Sequence, residues 1–340
     1  MISSPLSHFG GTGATAAVAL AALVMVVLVP AAAAAGDAPG GNWPARPITV
    51  VVPFPPGGST SIVARIVTDG MAEALGQSFI VDNRGGAGGA LGTRQAARSA
   101  PDGYTIALGY TGTLAIGPAL YANVGYDVHT DFAPVGRIGV APSTIVVHPS
   151  FDVHSVADLI AYARAHPGEV NYGSAGIGTV GHVAGEYFGI ATGTRLTHVP
   201  YKGTGPAVTD LLGGHIPLSF TPIPAVHESA KSGLLRMLAV TSLTHSTLAP
   251  DVPTVAEQGV PGFEAVLRYG LVAPAGTPRP VIERLDKALS LALSLAAVRS
   301  RLAVEGVEPQ PGTPAEYQAD IDREAALWAK VVKASGARAE

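Results

Sequence analysis

The stretch ITVVVPFPPGGSTS (residues 48–61) sets a continuous β-branched run against a Pro-Pro-Gly-Gly stop and then a hydroxyl-rich helix start. An unbroken apolar run of strand length reads as a strand buried on both faces of a parallel sheet. Ser59 or Thr60 is then expected to cap a helix whose apolar stripe is Ile62, Val63, Ile66, Val67, Met71 and Leu75. FIVDN (79–83) and GYTIALGY (103–110) read as the next strands. Strand, helix and strand in alternation mark an α/β sheet.

The same unit returns further along. STIVVHP (143–149) reads as a strand, and Ser155 with Asp158 opens a helix that Pro167 and Gly168 end. VNYGSA (170–175) runs into the glycine-rich turn GSAGIGTVGH (173–182) and a helix carrying Val180, Val183, Ala184, Tyr187 and Phe188. LTHVPY (196–201), a helix from about Thr204 to Leu212, and LLRMLAVTS (234–242) continue the pattern. Beyond Pro250, GLVAPAG (270–276) reads as a strand leading to a helix at Thr277 and Pro278. Thr313, Pro314 and Glu316 form a capping box for a last helix through Tyr317, Ile321, Trp328 and Val332. The simplest arrangement is two α/β lobes around a cleft. Residues 43–141 would begin lobe 1, 142–242 would form lobe 2, and 243–340 would return to lobe 1 with the C-terminal helices.

Composition narrows the function. With 340 residues, 47% hydrophobic and 14% charged, the chain can bury a sizeable core. The formal charge of -4 comes with no basic run, which argues against a nucleic-acid partner. There is no cysteine, so disulfides, thiol catalysis and zinc–thiolate sites are excluded. The ten histidines contain no H-x-x-x-H pair, and no metal or cofactor is expected. Residues 14–29, ATAAVALAALVMVVLV, followed by Pro30 and AAAAAG (31–36), read as the apolar core and A-x-A cleavage site of a signal peptide spanning 1–35. No Lys or Arg precedes that run, so its positive flank rests on the terminal amine and His8. An uncleaved anchor or a wrongly chosen start codon is the alternative, and either way the rest is expected to work outside the cytoplasmic membrane.

Gly176, Gly178 and Gly181 have the G-x-G-x-x-G spacing of dinucleotide-binding turns, but the window 195–202, where the ribose-binding acid belongs, holds no carboxylate. Ser174 fails as a nucleophile elbow because Tyr172 stands where the G-x-S-x-G pattern needs glycine. What these turns share is a strand passing through small residues into a helix start, where unpaired N–H groups and the helix dipole favour an anion. The chain has this device at PFPPGGSTS (53–61), GSAGIGTVGH (173–182) and PYKGTGPA (200–207). The bland alternative for any one of them is ordinary turn chemistry.

With WPARPITVVVPFPPGG, VDNRGGAGG, APDGYTIALG, NYGSAG, HVPYKGTGPAVTDLLGG and GLVAPAGTP in this order, the chain resembles the Bug-type solute receptors of tripartite tricarboxylate transporters from about Trp43 to Ser335. The resemblance implies a periplasmic-binding-protein-like (type II) two-lobed fold in the Gram-negative periplasm. It implies closure on a small organic carboxylate, no catalytic activity, a monomer, and membrane transporter subunits as partners. A receptor presenting ligand to a signalling ectodomain, or a secreted hydrolase using Ser174 with a distant histidine, are the rivals. The ligand contacts it implies fall on Phe54, Gly57, Gly58, Ser59 and Thr60 and on Ser174, Gly176, Gly178 and Thr179. Thr113, His182, Thr204, Thr221 and Arg268 complete the candidate set, with His182 equally readable as a helix-face histidine and Arg268 as a surface or hinge residue. Ser61, Gly117 and Arg268 depart from the family's usual Asp, Asn and aromatic residue. The loss of acid at 61 argues against an amino-acid ligand, and Arg268, if inward, would add a bidentate donor.

Overall fold

The computed structural model describes residues 42–338. The signal-peptide reading lies outside them. Among the described residues no helix is long and apolar enough to cross a membrane.

Among the described residues ten strands form one mixed sheet whose two halves share a long strand. The first half contains β1 (Ile48–Val52), β2 (Phe79–Asn83), β3 (Thr105–Tyr110), and the first part of β4 (Phe132–Val147). The second contains the rest of β4 with β5 (Asn171–Ser174), β6 (Thr197–Pro200), β7 (Leu218–Pro222) and β8 (Arg236–Val240). β9 (Val266–Pro274) and β10 (Glu308–Gly312) return to the first half. The order is β2-β1-β3-β9-β4-β7-β5-β6, with β8 and β10 also on β4. β1 lies parallel to β2 and β3, and β5 parallel to β6 and β7. β4 runs antiparallel to β9 from Phe132 to Pro142 and antiparallel to β7 from Ser143 onward.

The helices are α1 (Ser59–Leu75), α2 (Ala90–Ala97), α3 (Gly117–Leu120), α4 (Val156–Ala165), α5 (Val180–Thr192), α6 (Thr204–Leu212), α7 (His227–Lys231), α8 (Arg279–Ser294), α9 (Ala296–Val304) and α10 (Pro314–Ser335). A single wide π-helical turn, Gly112–Ile116, precedes α3. The stripe Val63, Ile66, Val67 and Met71 of α1 packs with Leu285, Leu289 and Leu293 of α8 over Ile48, Val50 and Ile106, forming one core. Each such side chain contributes about 1.5–3 kcal/mol on burial. A second core gathers Tyr172, Phe188, Phe220 and Phe263 under α5. α10 reaches both halves: Tyr317 and Ile321 pack with Val51 and Val272, whereas Trp328, Val331 and Val332 join the core under α5.

Two local readings are corrected. The strand expected at 143–149 is the end of a sixteen-residue strand. Its first part contains Pro134, Gly136, Gly139 and Pro142, and its ladder with β9 is irregular at Pro134/Gly136 and Arg137/Gly139. α1 is capped by Gly58 without a side-chain bond, because the Ser59 hydroxyl turns to Glu305 Oε2 at 2.6 Å. The Ser155 and Thr313 caps form as read, accepting from the amides of Asp158 and Glu316.

Candidate functional site

A cleft of about 300 Å³ opens where the carboxyl ends of β1, β3, β5 and β6 converge. This is the place that open α/β sheets offer ligands, because each strand there hands over to a helix N-terminus. Phe54 and Thr60 enter after β1, Tyr110 and Gly112 at and after β3, Gly178 and Thr179 after β5, and Thr204 after β6. Ala141 and Ser143 of β4 and Leu267 of β9 line it where β4 changes partners. No Asp, Glu, Lys, Arg or His is among the lining residues.

The donors are backbone amides. Thr60 in the first turn of α1, Val180 and Gly181 in the first turn of α5, and Thr204 at the start of α6 have N–H groups with no protein acceptor among the described residues. The amides of the two expected glycines are spent internally. Gly176 N donates to Ser174 Oγ at 3.1 Å and Gly178 N to His182 Nδ1 at 3.2 Å. The free donors therefore sit one step further into the helix than glycine spacing indicated. Thr179 is the N-cap, its hydroxyl accepting from His182 N.

Five candidates from the sequence line the cleft: Phe54, Thr60, Gly178, Thr179 and Thr204. The others fall elsewhere. Gly57 and Gly58 are exposed on the turn before α1 and Ser59 is exposed as its first residue, and Thr113 is buried with its hydroxyl 3.4 Å from Tyr110 O. Thr221 is buried in β7 opposite Thr144. Ser61, one of the departures, is buried and bonded to Asn83 Oδ1 at 3.2 Å, so position 61 does not face the ligand space.

Ser174, Gly176 and His182 lie behind the lining. Ser174 is 1% exposed, and its Oγ lies 2.6 Å from His198 Nε2. The His182 and His198 rings stack with centroids 4.2 Å apart. Burial lowers His182 to about 4. Burial, and then His182 beside it, lowers His198 to about 3. Both imidazoles are therefore neutral at ordinary pH and act as a packed floor under the 175–181 turn. The Ser174–His198 pair is half of a nucleophile constellation, but no carboxylate orients His198 among the described residues, and a base of such low pKa takes a serine proton poorly.

Arg268 is corrected most plainly. It is 4% exposed and points away from the cleft, while its chain neighbour Leu267 lines it. Its Nε lies 2.8 Å from Glu324 Oε1, its NH2 3.2 Å from Glu264 Oε2, and Asp320 is 3.8 Å away. Thr111 joins this cluster, donating to Glu324 Oε2 at 2.8 Å and accepting from Arg268 N. The guanidinium is thus engaged by Glu264 on one side and by Glu324 and Asp320 of α10 on the other.

Sequence reasoning missed Tyr110, Gly112, Ile116, Ser143, Val180 and Phe220 as lining residues, and named Gly117 only as a departure from the family pattern. The run Tyr110-Thr111-Gly112-Thr113 carries the same signal of a strand end followed by small residues that marked the other turns.

A family model for the tripartite tricarboxylate transporter family receptor, TctC, matches residues 63–337. Protein BugT of Bordetella pertussis is 41% identical over 297 residues, covering 87% of this chain and 91% of that protein. Among solved structures, R. palustris Rpa4515 with adipate is 39% identical with a TM-score of 0.73, covering 87% of this chain and 99% of that one. MatC (Rpa3494) from Rhodopseudomonas palustris with bound malate is 33% identical with a TM-score of 0.70, covering 85% and 99%.

Proposed function

The chain belongs to the tripartite tricarboxylate transporter receptor family, and from that premise we propose that it is a periplasmic receptor for a small organic carboxylate. The observation that carries this reading is the convergence of unpaired amides from α1, α5 and α6 on one cleft without charged side chains. Charge-assisted hydrogen bonds of this kind contribute roughly 1.5–3 kcal/mol each, so three or four suffice for micromolar binding after ordering costs. Thr60, Thr179 and Thr204 would add side-chain hydroxyls to those amides. The adipate and malate named with two relatives are acids of the required kind.

Binding would draw the two halves of the sheet together, since α1 sits on one and α5 and α6 on the other. The change of partner along β4 between Pro142 and Ser143 supports lobe boundaries near 141/142. Membrane subunits of a transporter would read the closed shape, and secretion through residues 1–35 would deliver the receptor to them. The reading is non-enzymatic: Ser174 is sealed behind the cleft and its histidine is a poor base.

The test is a thermal-shift and calorimetric screen of organic acids on the purified protein. A true ligand raises the melting temperature and gives saturable heat. Silence from every mono-, di- and tricarboxylate, or ester turnover abolished by Ser174→Ala, would overturn the receptor reading.

A further inference from the structure

Six hydroxyl-bearing side chains line the cleft, and five of them have a setting that accounts for them. Thr60, Thr179 and Thr204 stand at helix starts beside the free amides. Tyr110 and Tyr121 are half-buried phenols that water can reach, and the Tyr110 ring packs edge-on against Phe54 at 5.1 Å. Ser143 is different. It is 5% exposed, it sits on a strand at the crease of the sheet, and its Oγ has no hydrogen-bond partner among the described residues. Trp43 Nε1, Tyr317 Oη and Trp328 Nε1 are unpartnered too, but they are sealed inside the protein. Ser143 Oγ keeps an opening, and it opens on the cleft.

The strand holds this hydroxyl in place. Alternation along β4 turns Ala141 and Ser143 to the cleft, with Leu267 opposite the first and Pro222 opposite the second. The Ser143 main chain is fixed from β4's other partner: its N donates to Thr241 Oγ1 at 3.0 Å, and its O accepts from Thr241 N at 2.9 Å and from Thr241 Oγ1 at 3.0 Å. Neither Ala141 nor Pro222 has a side-chain polar group to offer it. One strand spacing and two residues along β7 separate Ser143 from Phe220, roughly 8 Å. The first turn of α5 rests on Phe220 O at Gly181. That separation matches a carboxylate with an oxygen on the adjacent carbon, once a hydrogen bond of about 2.9 Å is added at each end.

We infer that Ser143 is a specificity-determining residue of the cleft, its hydroxyl bonding an oxygen carried on the ligand's carbon chain next to the carboxylate, so that a hydroxy or keto acid is bound in preference to its unsubstituted counterpart. This deepens the receptor reading and rests on it. A serine hydroxyl both donates and accepts, so it serves an alcohol and a ketone alike. An amine in the same place would want a carboxylate, and none lines the cleft. A plain hydrocarbon acid would displace water from Ser143 Oγ and leave it without a partner. A site that pairs a ligand hydroxyl discriminates against the analogue lacking it more strongly than an apolar pocket separates one methylene from two.

The experiment is calorimetric titration of the purified protein and its variants with two matched pairs of probes, succinate against malate and glutarate against 2-hydroxyglutarate, each hydroxy acid as both enantiomers. The wild type is expected to bind the better enantiomer of a hydroxy acid about tenfold or more tightly than its unsubstituted partner. Ser143→Ala is expected to bring that ratio to within about threefold of unity by weakening the hydroxy acid, Ser143→Thr to keep the preference, and Tyr110→Phe to weaken both members of a pair alike. Melting of the unliganded variants checks folding; should the Ala variant not fold, Ser143→Val, which has the shape of threonine without its hydroxyl, is read against Ser143→Thr. A wild type without the preference, a folded Ser143→Ala with an unchanged ratio, or a ratio lost in Tyr110→Phe and kept in Ser143→Ala would overturn the proposal. If neither pair binds, the ratio is read on the acid that the wider screen finds and its counterpart, and a ligand with no such oxygen overturns the proposal. If the wider screen is silent as well, it is the receptor reading that fails.

Discussion

Nδ1 of His182 accepts the amide proton of Gly178 at 3.2 Å, so an imidazole in the first turn of α5 reaches back and fixes the turn that precedes its own helix. The same ring lies on His198, whose Nε2 is 2.6 Å from Ser174 Oγ. Strand end, turn and helix start are thereby tied into one unit, and the free amides of Val180 and Gly181 inherit its rigidity.

Replacing His182 by Ala removes the acceptor and leaves a void under the turn. Unfolding stability is expected to drop by about 2–4 kcal/mol, the cost of an orphaned donor together with a buried cavity. Carboxylate affinity should fall with it. Urea denaturation and ligand titration check both, and an unchanged midpoint would show that the imidazole carries no structural role.

The histidine pair also sets an acid limit. Both folded-state values, about 4 and about 3, lie below the ordinary 6.5, so on lowering the pH the unfolded chain binds these protons first. Stability from this source is fully present above about pH 6.5 and is lost as the pH falls toward 4 and then 3. Denaturation midpoints from pH 3 to 8 should slope downward below 6.5 in the wild type and more gently in His198→Gln.

Gly181→Ala and Gly58→Ala form a matched pair at two helix starts. The first drives a methyl into Phe220 O and forces α5 away from β7, so stability should fall by about 1–3 kcal/mol and ligand affinity with it. The second meets only Pro55 O at 4.0 Å, and the change should stay within about 1 kcal/mol. Equal effects at the two positions would contradict the packing described.

Arg268→Met strands the buried Glu324 carboxylate, which burial already pushes up against the pull of Arg268. Breaking one side of such a pair costs about 3–5 kcal/mol, and the double variant Arg268→Met with Glu324→Gln should recover part of it. The ratio of affinities between two acids should not move, since the guanidinium never reaches the ligand space. A double-variant cycle and paired titrations provide the check.

The βα units were legible because their strands are apolar runs and their helices carry regular stripes, whereas Phe54, Thr60, Gly178, Thr179 and Thr204, which line one cleft, were singled out by the resemblance and not by those patterns. The first part of β4 was not legible, because Pro134, Gly136, Gly139 and Pro142 are loop signals locally and become strand only through β9 and β10. The side on which Arg268 lies depends on the alternation of β9, and its partners Glu324 and Asp320 sit more than fifty residues away. Which amides stay free in the 175–181 turn was likewise hidden, because the acceptor on His182 is a matter of ring orientation, not spacing.

β4 belongs to both halves of the sheet and exchanges neighbours between Pro142 and Ser143, at a residue that has no amide proton to give. A continuous strand cannot slide past itself. In the closure proposed above, opening would be torsion of the main chain at this crease, with β9 and α10 following, and its amplitude would be set by a handful of dihedral angles. Stiffening the crease should trap the receptor in one posture while every ligand-facing atom stays in place.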